Sequence, residues 1–176
     1  MKKIGILSDT HGHLDDRILH HLQGCDEIWH IGDWGTIAVS DSIVKLGKKV
    51  RGVFGNIDGR ELRLSYPEKL TFNCEGVKVS MVHIGGYPGR YSPGIRQLIL
   101  EKKPGIFLSG HSHILKVMRD KNLDLLHINP GAAGHYGFHK IRTLILMEID
   151  EGRPKNMQVV ELGKRATGAI DPAEGL

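Results

Sequence analysis

Cysteine is scarce in this chain: two of its 176 residues, Cys25 and Cys74, and they stand in unrelated contexts. A disulfide framework is therefore excluded as the source of stability, and both thiols fit quiet core positions. Also missing is any apolar run near the roughly 20 residues that a membrane-crossing helix needs. The opening "MKKIGIL" has the charged head of a targeting peptide, but polar residues cut its apolar run short. Together these absences point to a cytoplasmic protein that uses no membrane. Neither sign of charge dominates, with 24 Lys and Arg against 20 Asp and Glu and a net charge of +4. The basic residues are scattered, so a surface for long nucleic acid is not expected. A weak pull on small anionic substrates is what that balance supports.

What the chain has in excess is histidine, eleven in all. Their placement follows from the order of elements. "KKIGILS" reads as a strand, residues 14 to 23 as an amphipathic helix with Leu14, Ile18, Leu19 and Leu22 inward, and "DEIWHIG" as a second strand. A helix over 37 to 47 and the strand "KKVRGVFG" complete a βαβαβ unit of a parallel sheet. A loop with Tyr66 and Pro67 follows. "KLTFNC" and "VKVSMVHI" then flank Glu75-Gly76 as a hairpin, and a helix runs from about Pro93 to Lys102 with Ser92 as its cap. The rest is strand-rich: "GIFLSG", "LKVMRD", "LDLLHIN", "RTLILMEI" and "NMQVVEL", with a tight turn at Lys121-Asn122. The expectation is an α/β fold of two mixed sheets packed face to face with helices outside. One domain spans residues 1–162, and residues 163–176 form a surface tail.

Five strand ends run at once into a ligand-type residue. They are Asp9-Thr10-His11, Gly32-Asp33, Gly55-Asn56-Ile57-Asp58, His83 after "VSMV", and Gly110-His111-Ser112-His113. Ligands of open α/β sheets gather at the carboxyl ends of strands. Sorted by chemistry the set holds two carboxylates, one amide and four imidazoles, without a thiolate. That exceeds one four-coordinate zinc and suits two divalent ions of intermediate hardness sharing a bridging carboxylate. Two ions about 3.5–4 Å apart can hold a hydroxide, lower the pKa of water towards about 7 and clamp a phosphoryl group. Taken singly, each piece has a plain structural reading as a turn, a helix cap or a hydrogen-bonded histidine. Their joint occurrence in this order favours the metal site.

The motifs "DTH", "GD", "GNID", the histidine after "VSMV", and "GHSH" resemble, in order and spacing, the signatures of the calcineurin-like metallophosphoesterase superfamily. "YPEKL" and "INPGA" are most similar to its small prokaryotic YfcE-like phosphodiesterase branch, which is related to a retromer subunit that has lost catalysis. The resemblance covers about residues 1 to 150 and implies a four-layer α/β/β/α sandwich. It also implies that Asp9, His11, Asp33 and His113 hold one metal. Asp33 would bridge to a second, completed by Asn56, His83 and His111. Asp33, Asn56 and His83 would carry catalysis, with Asn56 and His83 near the substrate phosphate. The expected activity is phosphodiester hydrolysis, a hydroxide bridging the two ions attacking phosphorus. Manganese is the first expectation for the ions, with zinc, iron, cobalt or nickel as alternatives. The substrate would be a small phosphodiester or nucleotide-like molecule. A non-catalytic metal-binding scaffold of the same fold is the alternative, and a homo-oligomer is left open.

Two departures matter. Many members of the family carry a histidine, the supposed donor to the leaving group, where this chain has Ile57, and "HIGG" at residues 83–86 replaces the common His-Gly. His13 is near enough in sequence to contact phosphate or donate a proton, against a plain solvent-exposed reading. Among the other histidines, His20 and His21 read as helix surface, and His30 and His127 as hydrogen-bonded core. His135 and His139 stand on a Gly-rich loop that can reach the site mouth or an oligomer interface, though polar loop residues are the simpler reading. "GYPGRYSPG", with Tyr87, Arg90 and Tyr91, is either a substrate-side loop or a surface connection. Asp58 is expected to fix its own turn rather than bind metal.

Overall fold

The computed structural model describes residues 1–167. Two five-stranded sheets form its centre. In the first, β1 (Lys2–Leu7), β2 (Glu27–His30) and β3 (Lys49–Gly52) run parallel, and β11 (Ile141–Asp150) and β12 (Arg153–Lys164) extend the far side antiparallel, in the order β12-β11-β1-β2-β3. The second takes the order β4-β5-β8-β10-β9. It is built from β4 (Lys69–Cys74), β5 (Val77–Val82), β8 (Ile106–Leu108), β9 (Lys116–Asp120) and β10 (Leu125–Asn129), with β5, β8 and β10 parallel.

Strand alternation decides what lies between the sheets. On β1, Ile4 and Ile6 point inward with Trp29 and Ile31, and meet Val79, Met81, Ile106, Leu108 and Ile128 from the second sheet. Leu7 and Ile28 point the other way, against α1 (Asp16–Gln23), α2 (Ile37–Val44) and α3 (Arg60–Ser65). α4 (Ile95–Lys102) covers the second sheet through Ile95 and Ile99, packed on Phe107 and Leu125. The result is the expected α/β/β/α sandwich.

The short helices depend on that packing, because eight isolated residues do not hold a helix in water. α1 buries Ile18 and Leu22 completely, worth about 2 kcal/mol each. It starts two residues later than its apolar pattern suggests, because Asp15 is the cap and accepts from the Ile18 N–H at 3.0 Å. α2 likewise stops at Val44 rather than residue 47. α4 departs from expectation at its start. Ser92 and Pro93 do not open the helix. The Ser92 N–H donates to the Gly85 carbonyl and its own carbonyl accepts from Ile95, so Gly94, at φ 79°, becomes the cap. Sequence periodicity missed α3, whose six residues are too few to set a period. It also left unresolved the small hairpin β6 (Gly86–Tyr87) and β7 (Arg90–Tyr91) inside "GYPGRYSPG".

The expected domain limit at residue 162 falls inside a strand, since β12 continues to Lys164. Arg165 then donates from its N–H to the Lys140 carbonyl and from Nε to the His139 carbonyl, which ties the start of the expected tail to the domain. Residues 168–176 of that tail lie outside the described residues. Among the described residues no helix is long and apolar enough to cross a membrane.

Candidate metal centre

All five ligand-bearing segments leave the carboxyl ends of β1, β2, β3, β5 and β8 and meet on one edge of the sandwich. The chain there takes a strained form. Asp9, His11, Asp33, His111 and His113 all have φ between 46° and 67°, the left-handed region that side-chain-bearing residues avoid. These are half of the ten such non-glycine residues described. Strain of about 1–3 kcal/mol per residue persists only where surrounding contacts enforce it. Here Asp9 and His11 donate their N–H groups to the carbonyls of Gly32 and Asp33 at 3.0 Å, locking the first two loops together. Gly55 lets the third come close: a Cβ on it would lie 2.0 Å from Asp33 Oδ1.

Two clusters result. Ligand-type atoms of Asp9, His11 and His113 lie within 4.8 Å of one another, as do those of Asp33, His83 and His111. His11 Nε2 stands 3.9 Å from Asp9 Oδ1 and 3.5 Å from Asp33 Oδ2, so Asp33 lies between the two groups. His113 Nε2 is 3.1 Å from Asp9 Oδ1, and His83 Nε2 is 3.1 Å from both Asp33 Oδ2 and Asn56 Oδ1. Asp9, Asp33 and His83 are buried, whereas His111 and Ser112 are exposed to the cleft in front of them.

The polar bookkeeping of these clusters suits cations. His83 donates from Nδ1 to the Ile31 carbonyl at 2.7 Å, which turns Nε2 towards two further acceptors on Asp33 and Asn56. Three acceptors facing one another require a proton or a metal between them. Without a metal, burial opposes charge on His83, but its hydrogen bond to Asp33 and the field of Asp9 push its pKa up to about 9. Burial likewise opposes ionisation of Asp9, yet bonds from His11 and His113 and the charge of His83 hold it well below the usual carboxylate range. Asp9 Oδ1 is nonetheless buried without a hydrogen bond of good geometry. The residues present therefore fit bound divalent cations, with Asp9, His11 and His113 as one candidate ligand group, Asp33, His83 and His111 as the other, and Asn56 beside His83.

The remaining expectations sort cleanly. Asp58 binds its own turn, accepting from Gly55 N at 2.7 Å and Gly35 N at 2.9 Å. His30 is buried beneath the site, stacked on Trp34 at 3.7 Å and bonded to Thr10 at 2.9 Å. Burial lowers its pKa to about 3, so it stays neutral. His127 is buried against Ser109 and the Gly86 carbonyl. His13 sits 3.2 Å from Asp15 and packs on His135, beside the cleft rather than among the residues that line it. The residues that motif reasoning passed over are Tyr136, Gly137 and Phe138. They line the same cleft as Ile57, His111 and His113, with the Tyr136 ring 5.0 Å from that of His11. Their signal was the Gly-rich stretch "GAAGHYGFHK", in which aromatic rings alternate with small residues.

A two-sheet sandwich with carboxylate–imidazole groups that can hold metal ions at the strand ends defines a metal-dependent phosphoesterase scaffold. The chain belongs to the calcineurin-like phosphoesterase superfamily, whose domain description matches residues 1–152. A probable metallophosphoesterase of Methanothermobacter thermautotrophicus is 28% identical over 134 residues, 73% of this chain and 76% of that one. Among solved structures, one described as a novel archaeal phosphodiesterase superposes with a TM-score of 0.72 at 21% identity, covering 90% of this chain and 99% of its own. Vps29 of Entamoeba histolytica, in a structure described as complexed with zinc, reaches 0.70 at 16% identity, covering 90% and 98%. At such identities these two structures establish the fold alone.

Proposed function

We propose that the protein is a phosphodiesterase that works with two divalent ions, manganese foremost. One observation carries the choice of diester over monoester. The metal centre lies at the seam of two clefts rather than at the floor of one. The first, about 610 Å³, is lined by His11, Asp33, His111 and His113, with Ile57 and Phe138 at its sides. The second, about 430 Å³, runs past His83 and Ile84 to Phe54, Arg63 and Lys69. Asn56 lines both. A phosphate held at the seam can send one ester substituent into each cleft, whereas a monoester leaves one empty.

Bound ions would supply Lewis acidity at the phosphate and a nucleophilic water. The chain's own residues do the rest. Asn56 supplies an amide where the clefts meet, and His83, fixed by Ile31, keeps a set orientation. At position 57, where a proton donor would face the cleft, Ile57 offers none. The enzyme should therefore favour acidic leaving groups, which depart without protonation. The free, buried thiols of Cys25 and Cys74 suit the reducing cytoplasm.

Metal-stripped protein titrated with Mn²⁺ against bis(p-nitrophenyl) phosphate tests the reading, run beside Asp33→Asn. The expected result is a rate that rises with Mn²⁺, falls at least a thousandfold in the variant, and declines steeply across diesters of rising leaving-group pKa. Folded wild-type protein that binds metal but turns over no diester would instead support a scaffold. Equal rates across leaving groups would remove the role given to Ile57.

A further inference from the structure

Phe138 is the most exposed large apolar residue described, with a relative exposure of 103%, and it stands at the lip of the metal-bearing cleft. A lone exposed apolar residue ordinarily needs no explanation. This one differs because the chain beneath it is clamped onto the metal centre. Gly134 donates its N–H to the Asp9 carbonyl at 3.0 Å. Gly137, at φ 118°, lies so close to the His113 ring that a Cβ there would be 2.0 Å from Nδ1. His139 packs its ring 5.3 Å from that of His113 and donates from Nε2 to the Gly134 carbonyl at 2.9 Å. From outside, Arg165 Nε reaches the His139 carbonyl at 3.0 Å, and the Ala166 N–H reaches His135 Nδ1 at 2.8 Å. The segment is thus held to two ligand loops and to the end of β12, while its one phenyl ring is left in the cleft mouth. Tyr136, on the same segment, lays its ring against His11 deeper in the same cleft.

We infer that residues 136–138 form an aromatic platform that receives a planar aromatic substituent of the substrate, with Phe138 as the specificity-determining residue. The inference rests on the proposal that a phosphoryl group binds at the metal centre. Stacking fits the surroundings better than hydrogen bonding does. The Phe138 ring is fully exposed and carries no polar atom to read a polar group, whereas any aromatic group offers it a face. A nucleobase and a simple aryl group share this chemistry.

The test is binding of paired ligands to the Mn²⁺-loaded full chain by calorimetry, which needs no turnover. One pair is phenylphosphonate and methylphosphonate; the other is adenosine 5′-monophosphate and ribose 5-phosphate. Each ratio of Kd values isolates the aromatic part from the phosphoryl part. Wild-type protein should favour the aromatic member roughly tenfold, from the worth of one stacked ring. Phe138→Ala should bring the ratio near one and leave methylphosphonate binding unchanged, and Phe138→Trp should restore it. A preference confined to one pair supports the platform and names the source as nucleobase or aryl. Ratios that are near one in the wild type, or equal in wild type and Phe138→Ala, overturn it, as does loss of methylphosphonate binding in Phe138→Ala. The diesterase reading fails separately, by absence of turnover with these ratios intact.

Discussion

The parallel strands of the first sheet bury carboxylates at both ends, and the two ends treat them in opposite ways. At the amino end of β2, Glu27 is buried and fully answered: Lys2 Nζ at 2.8 Å, Arg51 Nε at 2.8 Å and Trp29 Nε1 at 3.2 Å all donate to it. At the carboxyl ends, Asp9 and Asp33 are as deeply buried but face imidazoles, which carry lone pairs as readily as protons. No lysine or arginine lies within ion-pair distance of either carboxylate among the described residues. A carboxylate given its own cations is structural, and one surrounded by further ligands is prepared for a cation from solution. The backbone agrees, since the non-glycine left-handed residues in the loops of these strands fall at the carboxyl end, at Asp9, His11 and Asp33.

The sharpest break of this comparison is a crossed pair of isosteric changes. Asp9→Asn should abolish metal-dependent hydrolysis, by about a thousandfold or more, in protein that remains folded. Glu27→Gln should do the reverse, leaving activity intact and costing roughly 2–3 kcal/mol of stability by stranding Lys2 and Arg51. Denaturation and turnover measured on the same preparations check both. A Glu27→Gln variant that lost activity at full stability would dissolve the distinction between the two ends.

Next in size is the response to metal. Ions that bind only the folded state stabilise it by RT ln(1 + [L]/Kd), about 2.7 kcal/mol per site at a hundredfold excess over Kd. Mn²⁺ should therefore raise the melting temperature of wild type and of Glu27→Gln by similar amounts, and of Asp33→Asn by much less. Chelation should return each protein to its own metal-free melting temperature. Elemental analysis should find two ions per wild-type chain, and one per chain would limit the site to a single cluster.

How much of this was legible beforehand differs between the same two regions. The candidate metal centre drew notice because each ligand-type residue sits within a few residues of its own strand end, so the motifs are local even though the cluster is not. "GHSH" and "DTH" carry their own loops with them. The Glu27 cluster gave no such signal. It forms because register sets Glu27 beside Ile4 on one flank and Lys49 on the other, which a single strand does not reveal. The same holds for the aromatic wall. Phe138 reaches the cleft because Gly134 binds Asp9 and Arg165 binds His139, contacts spanning 125 and 26 residues of chain. The end of β12 at Lys164 was hidden for a related reason, since it is fixed by pairing with β11.

The smallest effect is one of pH. Burial raises the pKa of Glu27, but Arg51, Lys2 and Trp29 outweigh it and bring the value to about 2, against 4.5 for an ordinary glutamate. A depressed carboxylate contributes stability that is complete above its unfolded pKa and is lost as pH falls through its folded pKa. The Glu27 contribution should thus be whole above pH 4.5 and drain away towards pH 2, by at most about 3 kcal/mol. The gap in stability between wild type and Glu27→Gln, followed by urea denaturation from pH 7 downwards, should stay level to about pH 4.5 and then close. Because metal ligands protonate as well, the series belongs in chelator, where only the structural end of the sheet differs between the two proteins. A gap that stayed open at pH 2 would mean that Glu27 stabilises the fold by its shape and hydrogen bonds rather than its charge.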